Sequence, residues 1–139
     1  MRSPGLPYYL ALLADIAREA GQVEEGLRVL AEALTVVDTS GERFYETELY
    51  RLKGELLLAQ SVDNYTEAEA CFHHALAIAR PQQAKSLELR AAMSLGRLWQ
   101  RQGKTEQARQ LLTGVYAWFT EGFDTADLQE AQALLEQWA

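Results

Sequence analysis

Hydrophobic positions recur at helical intervals along almost the whole chain. Leu10, Leu13, Ala14 and Ala17 form one stripe, and Ala68, Phe72, Ala75, Leu76 and Ala79 form another. This is the spacing that buries one face of an α-helix. No sustained strand-like alternation competes with it. Alanine, leucine, glutamate, glutamine and arginine dominate, and all are good helix formers. Breaks fall at Gly21-Gln22, Thr39-Ser40-Gly41, Ser61-Val62-Asp63-Asn64, Pro81, Gly103-Lys104 and Gly122. They predict seven helices, over 7–20, 23–38, 42–60, 65–80, 83–102, 105–120 and 124–138. The connections are short, so neighbouring helices are expected to pack antiparallel in an all-α fold.

Small residues repeat in two registers. Ala14, Gly54 and Gly96 are spaced 40 and 42 apart, and Gly26, Ala68 and Ala108 are spaced 42 and 40. Around them the chain reads Ala92-x2-Leu95-Gly96-x2-Trp99, then Gly103, then Ala108-x3-Leu112. Earlier it reads Tyr50-x2-Lys53-Gly54-x2-Leu57 with Ala68-x3-Phe72-x2-Ala75, and Leu10-x2-Leu13-Ala14-x2-Ala17 with Gly26-x3-Leu30-x2-Ala33. These segments resemble the tetratricopeptide (TPR) repeat. The resemblance implies a single-domain α-solenoid spanning 1–139, with helix pairs at about 7–38, 42–80 and 83–120. Ala14, Gly54, Ala68, Gly96 and Ala108 would sit at close helix crossings, with Phe72 and Trp99 filling the space beside them.

The period of 40–42 exceeds the usual length of about 34. The excess lies between Ala33 and Tyr50 and between Ala75 and Ala92, and is expected to lengthen the first helix of each pair. The last segment carries no repeat signature. Phe123, Leu128, Ala131, Leu134, Leu135 and Trp138 make one apolar stripe after a plausible N-cap at Asp124 or Thr125. This predicts a capping helix that seals the last repeat and keeps Glu121, Asp127, Glu130 and Glu136 in solvent.

Three phrases are more specific than the repeat: the run from Gly41 to Leu56, Ser86-Leu87-Glu88-Leu89-Arg90-Ala91-Ala92, and the run from Phe119 to Leu128. Together they resemble the C-terminal TPR region of bacterial multidomain signalling ATPases, adenylate-guanylate cyclases and related transcriptional regulators. The resemblance implies a piece of a longer protein, or a stand-alone relative of that piece. It also implies a role in signal transduction. No phosphate-binding loop of the G-x4-G-K-[ST] kind occurs in the sequence.

Composition narrows the function. The chain has 139 residues, 48% of them hydrophobic and 24% charged, with a net charge of -7. That balance fits a globular protein and argues against a uniformly basic nucleic-acid binder. No apolar run approaches the length of a membrane span, and no signal-peptide pattern opens the sequence, so the expected location is the cytoplasm. Cys71 is the single cysteine, which excludes an intramolecular disulfide. The charge is uneven: net +5 over residues 80–109, then net -5 over residues 110–139.

The first helices of such pairs line an inner groove. On that face the expected contacts are Tyr8, Asp15, Glu48, Arg51, Glu55, Arg90, Met93, Arg97 and Arg101. Arg90, Arg97 and Arg101 form one stripe able to clamp an acidic segment of a protein or peptide partner. Cys71, His73 and His74 are the only metal-like cluster, and they read as packing because no second ligand pair exists. No activated nucleophile or buried carboxylate pair stands out. The expectation is a non-catalytic scaffold without metal or cofactor, with a small-ligand sensor as the alternative. The outer face of the first repeat (Leu6, Tyr9, Leu10, Leu13) is expected to support a homodimer.

Overall fold

The computed structural model describes residues 6–40 and 45–139, without the side chains of Thr39 and Ser40. The Gly41–Phe44 part of the longest family-like phrase lies outside the described residues. These residues form seven α-helices and no strand: α1 Leu6–Glu19, α2 Val23–Ser40, α3 Glu46–Gln60, α4 Tyr65–Ala79, α5 Lys85–Arg101, α6 Thr105–Tyr116 and α7 Ala126–Gln137. A 3-10 turn, Val62–Asn64, joins α3 to α4.

Each helix packs on its neighbour in sequence. The odd-numbered helices also pack on one another, α1 on α3, α3 on α5 and α5 on α7, whereas no two even-numbered helices meet among the described residues. The odd helices therefore form a continuous row. The buried apolar residues fall into two clusters. One joins α1, α2 and α3 through Leu10, Ala14, Leu30, Ala33, Leu49 and Leu56. The other runs from Leu57 through Phe72, Leu95 and Leu112 to Trp138. The division falls inside α3, between Leu56 and Leu57.

The glycines at the turns act through backbone conformation. Gly21, Gly103 and Gly122 have φ of +76°, +81° and +76°, left-handed values that a Cβ disfavours. At the first two turns the chain closes onto the preceding helix, with Gln22 N–H donating to the Ala17 carbonyl and Lys104 N–H to the Trp99 carbonyl, both at 2.8 Å. Glycines inside helices act through space. A Cβ on Gly54 would strike the Phe72 ring, 2.9 Å from Cδ1, and one on Gly26 would lie 3.0 Å from the Leu56 methyls. Ala14, Ala68, Ala108 and Phe72 are fully buried.

Several expectations change in detail. A Cβ added to Gly96 would lie 3.8 Å from the Ala108 Cβ, an ordinary contact, but only 2.9 Å from Cη2 of Trp138 in α7, its tightest neighbour. Trp99 is only half-buried and stacks loosely against His73, with ring centroids 5.8 Å apart. The excess residues of the first repeat lengthen the second helix instead of the next first helix: α2 is 18 residues long and α3 is 15. The helix expected to reach residue 120 stops at Tyr116, just after Gly114. The seventh begins at Ala126 because Thr125 is the N-cap, its side chain accepting from Leu128 N–H at 3.4 Å.

Candidate interaction groove

Helical spacing brings the polar faces of α1, α3 and α5 onto one side of the odd row. A cavity of about 470 Å³ lies there, lined by Asp15, Arg18 and Glu19 of α1, Arg51 and Glu55 of α3, Arg90, Met93 and Arg97 of α5, and Asp127 and Glu130 of α7. A smaller cavity of about 120 Å³ continues it toward the start of the helices and adds Tyr8, Tyr45 and Glu48. Tyr8 and Tyr45 pack with ring centroids 5.2 Å apart at its mouth. Eight of the nine expected groove residues therefore meet along one surface. Arg101 does not: it turns toward other clefts, one of them beside Leu58 and Tyr65.

The groove is a network of ion pairs. Glu48 is buried and accepts two hydrogen bonds from Arg51, at 2.9 and 3.0 Å, and a third from Arg90 at 3.2 Å. Arg51 also approaches the Ser94 hydroxyl at 3.4 Å, tying α3 to α5. Burial pulls the Arg51 guanidinium down, but the hydrogen bond and charge of Glu48 outweigh it, and the net shift is upward. Arg90 behaves alike: desolvation opposes its charge, while Asp127 and Glu48 hold the proton on. At the first helix Arg18 pairs with Asp15 at 2.8 Å.

The acidic end of the chain reaches into this network. Asp127 accepts from Arg90 at 2.8 Å, and Glu130 pairs with Arg97. Both line the groove instead of lying outside it, although Glu130 stays exposed to solvent as the sequence predicts. The place above Arg90 and Arg97, reserved on sequence grounds for an acidic partner, is taken by α7. Glu19 and Glu55, in contrast, make no ion pair or side-chain hydrogen bond among the described residues. The groove is thus charge-balanced around its arginines and carries an excess of negative charge through Glu19 and Glu55, the latter close enough to act on Arg51 without pairing with it.

Comparison with protein-family models, curated proteins and solved structures finds no match.

The assignment of the groove therefore rests on the chain's own residues. Sequence reasoning missed Glu19, Asp127 and Glu130. One signal for the last two was available: α7 follows α6 just as α5 follows α4, so it occupies the next place in the odd row and must present a face to the groove. Of the helix-borne cysteine and histidines, only Cys71 lies in the core, and His73 and His74 are exposed. Cys71 is buried, His74 stacks on Tyr50 with centroids 4.1 Å apart, and His73 lies 3.5 Å from the Glu69 carboxylate.

Proposed function

We propose that this chain is a non-catalytic protein-interaction module. In this reading it is an α-solenoid of three TPR-like helix pairs, with α7 closing the row, that binds a peptide or partner domain in the groove. The observation that carries it is the continuous polar groove along four odd helices, built on a buried apolar base. Repeat proteins bind partners on such extended inner surfaces. Placement within a bacterial signalling protein draws only on the sequence resemblance.

The charges define the partner's chemistry. Glu19 and Glu55 offer sites for a lysine or arginine. Arg90 and Arg97 can exchange Asp127 and Glu130 for a ligand carboxylate at little electrostatic cost, because both pairs are exposed enough for water to screen them. A peptide bearing both signs of charge fits better than a uniformly acidic one.

Selection from a displayed peptide library tests this. Enriched peptides are expected to bind saturably, to carry a basic residue, and to lose affinity for Glu55→Lys and Arg97→Glu. A library that yields no binder, or binders indifferent to both variants, overturns the groove.

Self-association belongs to the same reading. Tyr9, Leu12, Leu13 and Ile16 form an exposed stripe on α1, which among the described residues has a row neighbour on one side only. Leu10 is buried and Leu6 half-buried, so the apolar face is rotated from the one expected. A second copy of the chain, packed helix on helix through a two-fold axis, is the occupant that this stripe fits.

A further inference from the structure

A second cavity lies outside the groove and shares no lining residue with its main chamber. It has about 480 Å³ and sits where the end of α3, the 3-10 turn, the start of α4 and the end of α5 converge. That volume is within the range of small-molecule sites. Its base is apolar, formed by Leu58 and by Leu98 of the core. Val62 and Tyr65 rim it and leave 80% and 49% of their surface exposed. An isolated exposed valine is ordinary, but here it stands beside a concave apolar floor.

Three polar features complete the cavity. Arg101 and Lys104 stand at its edge and make no ion pair or side-chain hydrogen bond among the described residues, although most arginines of this protein are paired. The third is Gln102, whose side chain lines the cleft, while its Oε1 is turned into the interior and accepts no hydrogen bond there. Glu69 also lines the cavity, but its carboxylate is directed to His73 at 3.5 Å. Each feature specifies a part of a ligand. The floor takes an aliphatic or aromatic body. The two cations take one carboxylate, with the guanidinium able to hold it bidentately. Gln102, turned toward the cleft, brings its amide oxygen to a ligand N–H and so satisfies an acceptor that has no partner in the interior.

We infer that this cleft binds a small amphiphilic carboxylate bearing an amide N–H, of the class of N-acyl amino acids. The acyl chain lies on Leu58 and Leu98, the carboxylate lies between Arg101 and Lys104, and the amide donates to Gln102. This site stands apart from the groove, so its failure would leave the peptide reading intact.

Titration of the full chain with N-octanoylglycine, followed by calorimetry and amide NMR shifts, tests the inference. Saturable one-site binding is expected, with shifts at Leu58, Tyr65, Leu98 and Lys104. Octanol, which lacks the anion, and the double variant Arg101→Gln/Lys104→Gln are each expected to weaken it about tenfold or more, the loss of one charge-assisted pair. Val62→Glu, which sets a carboxylate at the mouth, is the second variant should the double one fail to fold. Absence of saturable binding at millimolar ligand, shifts confined to the groove, or equal binding by octanol or by the folded variants overturns the site. Equal affinity for octanoate, which lacks the N–H, overturns the role of Gln102.

Discussion

At the scale of single residues, the glycines divide by mechanism, and substitution separates them. Gly54→Ala drives a methyl into the Phe72 ring and is expected to cost about 1–3 kcal/mol by overpacking. Gly103→Ala meets nothing within 4 Å and is expected to cost about 1–2 kcal/mol from the left-handed backbone alone. Urea unfolding of both, with Phe72→Leu as a second background, tells them apart: the smaller side chain should relieve the first and leave the second unchanged. Cys71 gives a pH signature. Burial pushes its thiol up, so the folded state favours the protonated form. Its contribution is complete below the unfolded thiol's ordinary value of about 8.5 and is lost as pH rises through the higher folded value. Stability is therefore expected to fall on the alkaline side, and the Cys71→Ala variant should show a flatter decline in denaturant melts.

Between elements, the ion pairs differ in consequence according to burial. Glu48 joins Arg51 within α3 to Arg90 on α5, and its side chain is 9% exposed. Glu48→Gln leaves the buried Arg51 guanidinium without its carboxylate, while Arg90 keeps Asp127, and is expected to cost about 3 kcal/mol. Glu130→Gln removes an exposed partner of Arg97 and is expected to stay within about 0.5 kcal/mol. Comparable losses in thermal melts would contradict this ranking. Much of the element structure was legible in the sequence. Left-handed turns favour glycine, which made Gly21, Gly103 and Gly122 visible as stops, whereas the left-handed Gln83 (φ +53°) between α4 and α5 carries no such mark; the Thr125 hydroxyl marked a start. What the helical period does not encode is the rotation of one helix against another 30 or 40 residues away. For that reason Trp138 over Gly96, and Asp127 and Glu130 in the groove, could not be read from spacing, whereas Arg90 and Arg97 on one stripe could. Arg101 belongs to the same stripe on paper, but it is the last residue of α5 and turns away with the chain.

For the whole molecule, the net charge of -7 gives little guide to the binding surface, because the acidic end is partly neutralised against the arginines of α5. In the proposed reading the exposed stripe on α1 is the larger determinant of association. Sedimentation is expected to show concentration-dependent dimers, and Ile16→Lys should leave only monomer by placing a charge in the centre of the contact. A dimer that survives Ile16→Lys would have to form elsewhere.

The two apolar clusters divide within α3, with Leu27 of α2 packed against both, and that has a consequence for how the molecule opens. A protein whose core is partitioned need not unfold all at once; it can lose one partition while the other persists. Here α1 and α2 are held to the rest chiefly through α3, so they form the unit able to detach, with α3 as the shared strut. Amide hydrogen exchange should resolve two tiers of protection, the faster over α1 and α2 and the slower over α4 to α6. Because the groove needs α1 as one wall, the same opening would dismantle the binding surface while more than half of the molecule stayed folded, coupling occupancy of the groove to the order of its first two helices.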